Sequence, residues 1–155
     1  MRYALAVSIA ALLLVPAQAG AYISINQGIA GARLGNSQAQ VKAALGDPAL
    51  VKTGSNDFGP FTIWYFEGGL RVHFQGNESV TGVTTYGKGD RTTKGIGVGN
   101  TEKALRAKHK GLFCQGSGTT RSCSTTESPD AGARVTSFLI SKGKITRITV
   151  AFLID

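Results

Sequence analysis

The chain has 155 residues, 42% hydrophobic and 17% charged, with 17 Lys or Arg against nine Asp or Glu and a net charge of +8. That apolar content excludes a disordered chain, and two cysteines exclude the disulfide-dense scaffolds of very small secreted domains. The length suits one folded domain, able to bury roughly two thirds of its unfolded surface without help from metals.

The N-terminus reads as an address. Arg2 precedes an apolar run over 4–15, then Pro16 and the small residues Ala17 and Ala19. Residues 1–19 are therefore expected to be a secretory signal peptide cleaved after Ala19, too short to span a bilayer. Arg2 leaves with the leader, which lowers the net charge from +8 to +7. No cysteine follows to carry a lipid anchor, and no second apolar run is long enough for a membrane helix.

Further along, the chain repeats itself. GARLGNSQAQVKA (31–43) and GIGVGNTEKALRA (95–107) share Gly31/Gly95, Gly35/Gly99, Asn36/Asn100 and Ala43/Ala107 at an offset of 64. VTGVTT (80–85) matches ITRITV (145–150) at an offset of 65. The expectation is one domain over 20–155 built from a duplicated unit, the first copy about 27–90 and the second about 91–155.

Each unit opens on a helix. Ser37 with Gln40 makes a capping box, Val41, Ala44 and Leu45 share a face, and Gly46 with Pro48 stops it. Strands are expected at 61–66, 70–74 and 80–86, followed by a basic connector over 87–95. The second helix starts at Asn100 or Thr101 and ends at Gly111, and further strands follow at 112–116, 134–140 and 145–154. Residues 116–133 are rich in Ser, Thr and Gly and read as a loop. Cys114 and Cys123 read as one disulfide, contributing roughly 2.5–3 kcal/mol in the chain-entropy model. The resulting fold class is α+β: two tandem helix-plus-antiparallel-strand repeats forming one continuous sheet of six to eight strands, with the helices packed on one face.

The helix G-x-[ST]-x-x-x-[VL] (35–41), the Gly46-Asp47-Pro48 stop and the strands W-x-F (64–66) and L-x-V-x-F (70–74) resemble the BLIP/SmpA/OmlA superfamily. Two tandem copies with a cysteine pair are most similar to its β-lactamase-inhibitory-protein arrangement. The resemblance implies an antiparallel sheet, helices on the convex side and a concave face for a protein partner. The chain departs from that pattern in having no cysteines in its first repeat.

Catalysis finds no support. The acidic residues are scattered, Ser117 lacks a nucleophile elbow, and two histidines make no zinc site of known spacing. No cofactor, metal or nucleic acid is expected, nor an integral membrane protein. Binding fares better. Strand alternation puts Arg71, His73, Tyr86 and Arg147 on the open sheet face, joined by Trp64 or Tyr65 according to whether the turn before Leu70 has two residues or three. The reading is a secreted, envelope-associated, inhibitor-like protein-binding module. A second reading is adhesion to anionic wall polymer or membrane surface through Lys88, Arg91, Lys94, Arg106, Lys108 and Lys110, and a hydrolase ranks last.

Overall fold

The computed structural model describes residues 21–76, 78–127 and 130–153. The expected leader over 1–19 and Ile154, expected at the end of the last strand, lie outside them. Three short strands, β1 (Tyr22–Ser24), β2 (Gly28–Ile29) and β3 (Ala32–Arg33), precede helix α1 (Gln38–Leu45). Four strands follow it: β4 (Leu50–Asn56), β5 (Gly59–Tyr65), β6 (Leu70–Gln75) and β7 (Ser79–Thr85). Then β8 (Arg91–Thr92) leads into α2 (Glu102–Lys108), and four more strands follow: β9 (Phe113–Gln115), β10 (Thr120–Ser124), β11 (Arg134–Ser141) and β12 (Lys144–Phe152).

The class is α+β. One antiparallel sheet runs β4-β5-β6-β7-β12-β11-β10-β9, and a small sheet runs β3-β2-β1-β8. Each half contributes four strands to the large sheet where the sequence reading expects three. β4 and β10 are the additions. Every residue of β4 is exposed, so it carries no apolar alternation, and β10 lies inside the stretch expected to be a loop.

The core lies on one side of this sheet. Val72, Phe74, Val80 and Val83 meet Phe138, Ile140, Ile148 and Val150 there, under Ile23, Ile29, Leu34, Val41, Ile96 and Leu105. Each helix buries a single side chain completely, Val41 in α1 and Leu105 in α2. Helices this short are marginal alone and depend on that packing. Among the described residues, no helix is long and apolar enough to cross a membrane.

Caps fix the helix starts. The Ser37 hydroxyl accepts from Gln40 N at 3.3 Å, and Gln40 Oε1 accepts from Ser37 N at 2.9 Å. Thr101 caps α2 through Ala104 N at 3.2 Å. Replacing Ser37 with alanine should cost about 1 kcal/mol, read as a lower urea midpoint with unchanged slope.

Contacts recur between the halves. Gly35 N donates to Val80 O, and Val80 N to Asn36 O, both at 2.8 Å; Gly99 N donates to Ile145 O at 2.8 Å, and Ile145 N to Asn100 O at 2.9 Å. The β6–β7 ladder shifts register after His73, where the Thr81 hydroxyl donates to His73 O at 3.4 Å. The β11–β12 ladder shifts after Leu139, where the Thr146 hydroxyl donates to Leu139 O at 3.2 Å. Between the halves, β7 pairs with β12 so that Thr84 faces Thr149, their hydroxyls 3.1 Å apart.

The sheet's two edges differ. β4 is seven residues long and exposed throughout. β9 has three residues and is held to β10 by the Cys114–Cys123 disulfide, which joins directly opposed positions.

Candidate binding face

Ladder register decides which side chains share the side away from the core. Tyr65 pairs with Arg71 and Ile63 with His73, while Trp64 pairs with Val72. Leu70, Val72 and Phe74 are buried, so Arg71 and His73 lie on the opposite, half-exposed side. The connection is a three-residue turn over Glu67–Gly69, closed by a hydrogen bond from Phe66 N to Leu70 O at 2.9 Å. Gly68 and Gly69 there have φ of 74° and 88°, which side chains rarely tolerate.

Three turn residues therefore place Tyr65, not Trp64, beside Arg71. Trp64 belongs to the core, its ring 4.9 Å from that of Phe74. It leaves the set of candidate anchors for this reason.

Arg71 is stacked between two tyrosines. Its guanidinium lies 5.0 Å from the Tyr65 ring centre and 4.5 Å from that of Tyr86. Lys52 on β4 approaches the other tyrosine partner, 5.4 Å from the Tyr65 ring. Each contact of this kind contributes about 0.5–1 kcal/mol at an exposed site. More usefully, the stack holds a long side chain in one posture, lowering the entropy lost when a partner arrives. Arg147 shares the face on β12, opposite Leu139, but stands outside this stack.

Across the second half the same face presents Leu139, Ser137 and Val135 from β11, Ser122 and Ser124 from β10, and Phe113 and Gln115 from β9. None of the eight strands contains an Asp or a Glu. The face is thus basic and apolar on the β4–β7 side, hydroxyl-rich and apolar on the other. Sequence reading missed Lys52, Ile63 and Leu139. The alternation Phe61, Ile63, Tyr65 marks this face once the turn length is known.

His73 is held below its ordinary pKa of 6.5, first by burial and then by the Arg71 charge. His109 is lowered likewise, by burial and then by Lys94, with its Nε2 3.1 Å from the Thr92 hydroxyl. In both cases the unfolded chain takes up the proton more readily than the folded one. Their contribution to stability is complete above pH 6.5 and is lost as pH falls through the lower folded values. The melting temperature should therefore decline on acidification below pH 6.5, and His73→Gln should remove part of that slope.

Glu102, Cys114 and Cys123 bring possible ligand atoms within 4.8 Å of one another. Both sulfurs are spent on the disulfide, and Arg106 and Arg121 lie 2.8 and 3.6 Å from Glu102 Oε1. Such a cluster does not suit a cation. A cavity of about 520 Å³ includes Leu45, Phe66, Leu70, Asp47, Glu67 and Asp90. Asp90 is committed to Ala21 N and the Thr85 hydroxyl, and Asp47 to Lys42, so that site offers less free chemistry than the sheet face.

No protein-family model and no curated protein matches the sequence. In structure the chain is similar to an extracellular protein containing a SCP domain from Bacillus anthracis str. Ames, at 9% identity and a TM-score of 0.53, over 77% of this chain and 44% of that one. A DUF4309 family protein (YjgB) from Bacillus subtilis subsp. subtilis str. 168 aligns at 14% identity and a TM-score of 0.44, over 76% of this chain and 79% of that one. The chain thus spans less than half the length of the Bacillus anthracis protein, and at 9% identity what the two have in common is the fold.

Proposed function

We propose that this is an exported, non-enzymatic module that binds another protein through the open face of its eight-stranded sheet. The observation carrying this reading is the Tyr65–Arg71–Tyr86 stack on a face whose eight strands carry no Asp or Glu. Aromatic and arginine side chains held in place on an otherwise unoccupied surface are what interface anchors are made of. Export is supported by the disulfide, which belongs to oxidising compartments, and by the extracellular neighbour.

The same reading takes the two halves as copies of one helix-plus-four-strand module, as in the inhibitory-protein arrangement. Recurring hydrogen bonds at Gly35/Gly99 and at the Thr81/Thr146 register shifts support it. Against an enzyme stand the bonded cysteines and a His109 engaged by Thr92.

A photo-crosslinking residue placed at Ile63 should trap a discrete protein from the native envelope or culture fluid. The same residue at Lys108, on the helix side, should not. Equal trapping from both positions, or none from Ile63, would overturn the reading. Exposed Lys94, Lys108 and Lys110 around the end of α2 keep polymer adhesion as the second reading. That mode rests on screened charge, so it should disappear as salt rises, whereas face binding should persist.

A further inference from the structure

The centre of the sheet carries a glycine that the fold does not require. Gly82 sits in β7, between His73 of β6 and Ala151 of β12. Glycine weakens a central strand and often marks a place where something approaches closely. Its φ is not in the left-handed region, and a Cβ built on it meets Ala151 Cβ at 3.5 Å, Val150 O at 3.8 Å and His73 Cβ at 3.9 Å, all ordinary contacts. Gly28 and Gly54 differ: an added Cβ there lands 2.0 and 2.5 Å from other atoms.

The adjacent bulge does not explain it either. In β6–β7 the pairing passes from His73↔Gly82 to Phe74↔Val80. In β11–β12 it passes from Leu139↔Arg147 to Ile140↔Ile145, the same step with an arginine where Gly82 stands. Backbone of this shape accommodates a long side chain.

What the missing side chain leaves is a notch of about 220 Å³, lined by His73, Gly82, Thr84, Thr149 and Ala151 among others. That is several times the ~30 Å³ share of one water in the liquid, and room for a single side chain. Its polar atoms are largely committed: the Thr84 and Thr149 hydroxyls bond each other, and His73 stays neutral above pH 6.5. Around it on the same face stand Lys52, Arg71 and Arg147, with no strand carboxylate to offset them.

We propose that the notch over Gly82 is the anchor pocket of this face, taking one aromatic or branched apolar side chain from an acidic surface of a partner protein. The proposal rests on the reading that the open face binds protein, and charge complementarity selects the acidic surround.

The test uses the 15N-labelled full-length protein and three capped pentapeptides: phenylalanine flanked on each side by two aspartates, the same with alanine at the centre, and phenylalanine flanked by lysines. The aspartate–phenylalanine peptide should shift the amide signals of Gly82, His73 and Ala151 saturably. The other two should bind at least tenfold more weakly. Gly82→Val should abolish the response while preserving the melting temperature; should that variant misfold, Gly82→Ala should still weaken binding several-fold.

Equal binding by the alanine or lysine peptide overturns the proposal, as does a wild-type response from a folded Gly82→Val or no saturable shift at all. Shifts at Tyr65, Arg71 and Tyr86 that spare Gly82 overturn the notch alone and leave face binding standing. Shifts confined to the α2 side, with no crosslink from Ile63, overturn both.

Discussion

Truncating Phe138 to alanine should destabilise the fold by about 3–5 kcal/mol, a large share of the roughly 5–15 kcal/mol that holds a domain of this kind together. Phe138 is completely buried in β11, between Cys123 of β10 and Ile148 of β12, with its ring 6.0 Å from His109. It therefore ties α2 and the disulfide-bearing hairpin to the sheet. Trp64 is the chain's sole tryptophan and lies in the other half, packed on Phe74. Its fluorescence in urea reports whether damage in one half is felt in the other. Because β7 and β12 are joined and the core cluster is continuous, the Trp64 transition and the far-ultraviolet transition should move together. A loss below 1 kcal/mol, or a second half that melts alone, would show that Phe138 is not the tie described.

The second large effect concerns recognition. Tyr65→Ala combined with Arg71→Ala should weaken binding of the partner trapped from Ile63 by at least about 2 kcal/mol, close to 30-fold in Kd. Stability should fall by no more than about 1.5–3 kcal/mol, the loss of the three stacking contacts these side chains make, since neither side chain lies in the core. Arg71→Lys keeps the charge but not the planar stack between two rings, and should recover only part of the affinity. Titration calorimetry with the isolated partner gives the first number and thermal unfolding gives the second. Unfolding of the double variant would mean that these side chains support the sheet instead of a partner.

Much of this architecture is legible in the sequence because its signals are local. The Ser37–Gln40 box and Thr101 cap announce helix starts within four residues, and Leu70, Val72 and Phe74 alternate cleanly with Arg71 and His73. β4 is not legible, since a strand exposed on every residue has no periodic pattern to read. β10 is hidden inside a Ser/Thr run because its only fully buried residue is Cys123. The choice between Trp64 and Tyr65 depends on one residue of turn length, and a single step in register moves a whole strand face. Lys52 joins the Tyr65 ring across a strand the sequence does not announce. Gly82 stands among many glycines, and only its place in a central strand, with no left-handed φ and room for a Cβ, distinguishes it.

The unequal sheet margins have a consequence for assembly. A long, exposed margin invites another strand to hydrogen-bond alongside it, and β4, with Lys52 its one charged residue, is such a margin. At the far side, β9 is a three-residue stub locked to its neighbour. Any lateral joining of two molecules would therefore run margin to margin through β4, and the pair so formed would present only stubs at both ends. Growth through the eight-stranded sheet would then halt at two.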